Sequence, residues 1–111
     1  MPKTILGIIG GSGLYDLPEL QKPTWRRVHS PWGEASDELL FGELRGLELV
    51  FLPRHGRRHR VPPSHINYRA NIDALKRAGV TDLVSFSACG SFREAMAPGH
   101  FVIALSSGTR L

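Results

Sequence analysis

Cysteine is almost absent: Cys89 is the single one in 111 residues, which excludes an internal disulfide framework and fits a reducing compartment. No uncharged apolar run approaches the ~20 residues that a membrane-spanning helix needs. Met1-Pro2-Lys3-Thr4-Ile5 runs straight into a strand and a glycine turn, without the longer apolar stretch and small-residue cleavage site of a secretory signal. The expectation is therefore a cytoplasmic protein with no membrane partner. No internal repeat or low-complexity tract is visible. A Gly-Lys-Ser/Thr ending occurs nowhere, which excludes a Walker A loop, and position 16 is Asp16 where a dinucleotide fingerprint needs a third glycine.

What is present is ordinary in amount and unusual in placement. Hydrophobic residues make up 41% and charged residues 22%, the balance of a soluble globular chain rather than a disordered one. At this length the chain forms at most one domain and cannot build a large cleft. The net charge of +4 is local: Arg54, Arg57, Arg58 and Arg60 fall within seven residues, with His55 and His59 among them.

Residues 4–9 form a short β-branched apolar run stopped by glycines, which predicts a buried strand. Residues 15–38 carry Pro18, Pro23 and Pro31 and are expected to be irregular. Residues 39–44 and 47–52, joined by Arg45-Gly46, predict a β-hairpin that delivers Arg54 to a strand end. The basic run and Pro62-Pro63 predict a loop over 57–64, followed by a helix over 67–78 stopped at Gly79. Strands over 82–87 and 101–104 complete the pattern. The first of these makes a strand–helix–strand crossover with the hairpin's second strand.

Three segments thus end predicted strands: Gly10-Gly11-Ser12-Gly13, Arg54-His55-Gly56-Arg57-Arg58-His59, and Ser87-Ala88-Cys89-Gly90-Ser91. Strand ends of an open α/β sheet share an edge, so backbone N–H groups, hydroxyls and a guanidinium can converge there on one oxyanion. Each segment has a plainer reading. The glycines serve a tight turn equally well, a charge run is usually a solvated loop, and Cys89 suits a buried core position. A metal site at His55 and His59 is disfavoured because no glutamate intervenes and the flanking arginines repel a cation. A nucleic-acid patch over 54–60 remains an alternative, but Phe51 and Tyr68 are the nearby aromatics and a stacking platform needs more. A Cys89-dependent hydrolase lacks an assigned activating base. Trp25, His29 and Trp32 are expected in a surface loop, and Asn67, Tyr68, Arg69 and Asn71 at the helix start.

Together with the Ser30-Pro31-Trp32-Gly33-Glu34-Ala35-Ser36-Asp37 and Pro63-Ser64-His65-Ile66-Asn67-Tyr68-Arg69-Ala70-Asn71-Ile72 segments, these motifs resemble the methylthioadenosine phosphorylase branch of the trimeric purine nucleoside phosphorylases. The resemblance implies an α/β fold, the N-terminal portion of a mixed sheet flanked by helices. Residues 1–103 would be the N-terminal part of one phosphorylase domain and residues 104–111 a divergent tail. It implies that phosphate attacks C1′ of 5′-methylthioadenosine, or alternatively of a 6-oxopurine nucleoside, releasing the base and a ribose 1-phosphate, with no organic cofactor or metal. By that likeness Ser12, Arg54, His55, Ser87 and Ala88 bind phosphate, and Arg54 can fork onto two of its oxygens. The partners implied are nucleoside and phosphate, not nucleic acid, in a homotrimer of the full-length enzyme. The family's base-reading acidic residues lie beyond the matched part, so the 111-residue chain is expected to be inactive alone.

Overall fold

The apolar runs of the sequence become the strands of one mixed sheet. A computed structural model describes residues 3–11 and 16–86, and within them five strands and one α-helix follow the chain as β1 (Ile5–Gly10), β2 (Gln21–Arg26), β3 (Leu39–Leu44), β4 (Leu47–Pro53), α1 (Tyr68–Arg77) and β5 (Asp82–Ser85). Their spatial order is β2-β3-β4-β1-β5. The last three neighbours run parallel, while β2 and β3 add to one side antiparallel.

The continuous apolar stretch of β4 is explained by burial on both faces. Val50 and Leu52 point to the α1 side, where they pack with Ile9, Leu39, Ala74 and Leu75. Leu49 and Phe51 point the other way, against Leu20 and Leu40. A strand covered on both sides has no polar face to show, which is why alternation is lost in sequence. In the hairpin turn Arg45 has φ 50° and Gly46 φ 83°, the left-handed pair that matches strand twist in a two-residue loop.

Helix α1 starts where Asn67 caps it, the side-chain oxygen accepting from the Ala70 amide at 3.0 Å. It buries Ala70, Asn71, Ala74 and Leu75 and leaves Tyr68 and Ile72 exposed. The helix connects β4 to β5, and those strands lie on either side of β1. This crossover sets three parallel strand ends side by side. Among the described residues β5 pairs on one side only, and its Leu83 and Val84 are exposed.

One expectation fails in this region. The stretch over 15–38 is not all irregular, because residues 21–26 form strand β2 with Trp25 paired to Leu40. Pro23 is tolerated because β2 is an edge strand and its pairing register shifts between Gln21 and Thr24, the kind of irregular edge position where a missing N–H costs no ladder bond. The expected loop over 57–64 contains two short 3₁₀ turns, Arg57–His59 and Pro63–His65. The expected strand over 101–104 and the tail over 104–111 lie outside the described residues.

Candidate functional site: the parallel strand-end edge

The C-terminal ends of β4, β1 and β5 meet in register, Gly10 beside Pro53 and Ile9 beside both Leu52 and Ser85. The chain leaving each outer strand remains tied to β1. The Arg54 amide donates to the Gly10 carbonyl at 3.0 Å, and the Phe86 amide donates to the Ile9 carbonyl at 2.8 Å. Arg54 therefore begins directly beside Gly10 at the end of β1, and Phe86, just past β5, lies on the other side.

The Arg54 side chain then crosses the end of β1. Its Nη2 donates to Ser85 Oγ at 2.9 Å and to the Phe86 carbonyl at 2.6 Å, two strands away from its own. Strands sit ~4.8 Å apart, so the guanidinium bridges roughly 10 Å of sheet edge. Among the described residues both acceptors fall on Nη2. Because Nη2 belongs to both two-pronged faces of a guanidinium, a fork onto an anion would exchange one of these bonds for an anion oxygen.

His55 follows in a loop folded back on itself. The Gly56 amide donates to the Pro53 carbonyl at 3.0 Å, the Val61 amide to the His55 carbonyl at 2.7 Å, and His55 Nδ1 lies 3.0 Å from the Val61 carbonyl. A carbonyl only accepts, so Nδ1 carries the proton in that bond. Gly56 is required here: its φ is 75°, and a Cβ would come within 2.9 Å of the Ser36 carbonyl.

Two other arginines of the basic run, Arg57 and Arg60, face elsewhere. The Asp37 carboxylate, 1% exposed, accepts from the Arg57 amide at 2.7 Å, from Arg57 Nε at 2.9 Å and Nη2 at 3.0 Å, and from the Glu38 amide at 2.7 Å. Arg60 Nη2 stands 3.2 Å from the same carboxylate, and Arg57 also reaches Glu38 at 3.1 Å. Burial would raise the Asp37 pKa, but the Arg57 hydrogen bonds and charge outweigh it and bring it down to about 2. The Arg57 guanidinium is stacked 3.9 Å from the centre of the Trp25 ring. Trp25 is therefore an ordered part of the sheet and its stack, not a loop residue as its sequence context suggested.

This arrangement argues against the nucleic-acid reading, because Arg57 and Arg60 are already paired with carboxylates and a phosphate backbone would have to displace them. No group of three or more His, Cys, Asp or Glu among the described residues could hold a metal ion. Nor is any described helix long and apolar enough to cross a membrane.

The sequence profile of the phosphorylase superfamily matches residues 5–107. The chain belongs to that superfamily. Its relatives include proteins named S-methyl-5′-thioadenosine phosphorylase from Cereibacter sphaeroides, 62% identical over 91% of this chain and 35% of the relative, and from Thermofilum pendens, 50% identical over 92% and 39%. Among solved structures, a methylthioadenosine phosphorylase from an Antarctic soil metagenomic library superposes with a TM-score of 0.81 at 46% identity, covering 88% of this chain and 34% of that one. A methylthioadenosine phosphorylase from Schistosoma mansoni in complex with adenine gives 0.78 at 46% identity over 87% and 35%. The chain thus spans about a third of the length of these phosphorylases.

Of the residues expected to bind phosphate in this superfamily member, the structure describes Arg54 and His55 and sets them at the shared strand-end edge. Ser12, Ser87, Ala88 and Cys89 lie outside the described residues. Sequence reasoning misses Asp37. The signal for it is faint: one of two adjacent acids in Ser36-Asp37-Glu38 just before an apolar strand reads as ordinary surface until the arginines are folded against it.

Proposed function

We propose that this sequence belongs to an enzyme of purine nucleoside phosphorolysis, with 5′-methylthioadenosine as substrate and inorganic phosphate as nucleophile, and that this chain supplies the phosphate side of its site. The supporting observation is the Arg54 side chain lying across the end of β1 to Ser85 and Phe86. This brings a guanidinium to the edge formed by the ends of β4, β1 and β5. The names of its relatives favour the methylthio substrate over a 6-oxopurine nucleoside. Phosphate-binding roles for Ser12, Ser87 and Ala88, beside Arg54 and His55, belong to the same reading. So do a cytoplasmic location, a homotrimeric full-length enzyme, no organic cofactor or metal, and residues 1–103 as the N-terminal part of one domain.

Chemically, the edge holds a dianionic nucleophile against fixed donors, while positive charge develops on the ribosyl carbon as the glycosidic bond lengthens. Positioning and preorganised electrostatics are the protein's contribution. Arginine is suited to it because its planar fork matches two oxygens of one anion. The test is a titration of the isotopically labelled chain with inorganic phosphate, followed by its backbone amide resonances in NMR. The expected result is a saturable shift lost in Arg54→Ala. Release of adenine from 5′-methylthioadenosine by the chain alone is expected to be absent. A phosphate response unchanged by Arg54→Ala would overturn the assignment.

A further inference from the structure

Resting on the phosphate reading, a second layer of the site can be assigned. Arg54 and His55 sit on a loop whose conformation contains left-handed backbone at Gly56 (φ 75°) and Arg58 (φ 64°), a shape that persists only when its surroundings fix it. The fixing contacts come from residues 36 and 37. The Ser36 amide donates to Asn71 Oδ1 at 2.8 Å and Ser36 Oγ accepts from Asn71 Nδ2 at 3.1 Å, both bonds buried, which anchors the segment to α1. The Ser36 carbonyl abuts Gly56, and Asp37 next to it binds the backbone and side chain of Arg57 together. A continuous set of contacts therefore runs from α1 through 36 and 37 into the 54–61 loop.

We propose that Asp37 is a positioning residue for the anion site: its buried carboxylate clamps Arg57 and Arg60, fixes the 54–61 loop, and leaves Arg54 as the guanidinium that crosses the strand-end edge. Four arginines in seven residues would otherwise compete for one small anion and repel one another. The clamp turns two of them into supports. Trp25 completes it by stacking on the Arg57 guanidinium.

The experiment is the same phosphate titration on the labelled 111-residue chain, with Asp37→Asn compared against Asp73→Asn. Asp73 pairs with Arg77 on α1, so both variants remove one negative charge. On Coulombic grounds each should strengthen anion binding slightly; a loss therefore reads placement and not charge. Asp37→Asn is expected to weaken phosphate about tenfold or more, the loss of one well-placed charge-assisted bond, and to speed amide exchange at Gly56 and Val61 while the β3–β4 hairpin stays protected. Asp73→Asn should remain within about twofold. Equal affinities for the two variants, or Gly56 and Val61 amides that stay protected in Asp37→Asn, overturn the clamp. If Arg54→Ala abolishes the response while Asp37→Asn does not weaken it, the clamp alone fails. If Arg54→Ala changes nothing, the phosphate reading fails and takes the clamp with it. Should Asp37→Asn not fold, Arg57→Lys, which keeps a charge and loses the fork, decides by the same criteria.

Discussion

Acid should loosen this chain through Asp37, and the size of the effect follows from its surroundings. Its pKa in the folded chain is about 2, against an ordinary 3.8. Because the folded value is depressed, the unfolded chain binds its proton first as the pH falls. The associated stability is complete above the ordinary carboxylate range, declines from about pH 5 and is fully lost only once the pH falls below the folded value of about 2. A tenfold change in a protonation equilibrium is worth ~1.4 kcal/mol, so the contribution is roughly 2 kcal/mol, an upper figure because Arg57 keeps one side in water and is partly screened. The assay is urea unfolding followed by tryptophan fluorescence at pH 6, 4 and 2.5 for the wild type and Asp37→Asn. Other carboxylates titrate in both proteins, so the difference between them isolates this one. The wild type should be the more stable at pH 6, and the gap should shrink by roughly 1.5 kcal/mol on going to pH 2.5. A gap that stays constant with pH would mean that the ion pair with Arg57 does not hold the Asp37 charge as the geometry implies.

Leu52 is 1% exposed at the centre of the α1-side core, and Leu52→Ala should cost about 2–5 kcal/mol in the same unfolding assay. Gly56→Ala should cost about 1–3 kcal/mol, more than Gly46→Ala, in paired unfolding curves. Both glycines have positive φ, but a Cβ at 46 meets nothing within 4 Å while one at 56 strikes the Ser36 carbonyl at 2.9 Å; equal losses would show that the contact with residue 36 is loose.

The elements whose cause is local are legible without coordinates. β1 follows from a short β-branched apolar run that ends at Gly10. The β3–β4 hairpin follows from two apolar runs separated by Arg45-Gly46, and α1 from a capping Asn67, an apolar stripe and Gly79. β2 is not legible. Its Lys22-Pro23 pair argues against a strand, and its strand character comes from hydrogen bonding to β3, with a register shift that accommodates the proline. Trp25 reads as a loop residue for the same reason.

Three turn-forming segments after strand-like runs, the strongly basic character of one of them, and the likeness of the whole to a nucleoside phosphorylase are all fixed at the level of the amino-acid order. These are properties of short stretches, where side-chain period, glycine and proline act on the residues next to them. Which of the four clustered arginines faces the shared edge is settled by folding alone. Charge in sequence has no direction until the chain folds, and here Asp37, some twenty residues earlier, draws Arg57 and Arg60 to itself, while the parallel placement of β4, β1 and β5 carries Arg54 across to Ser85.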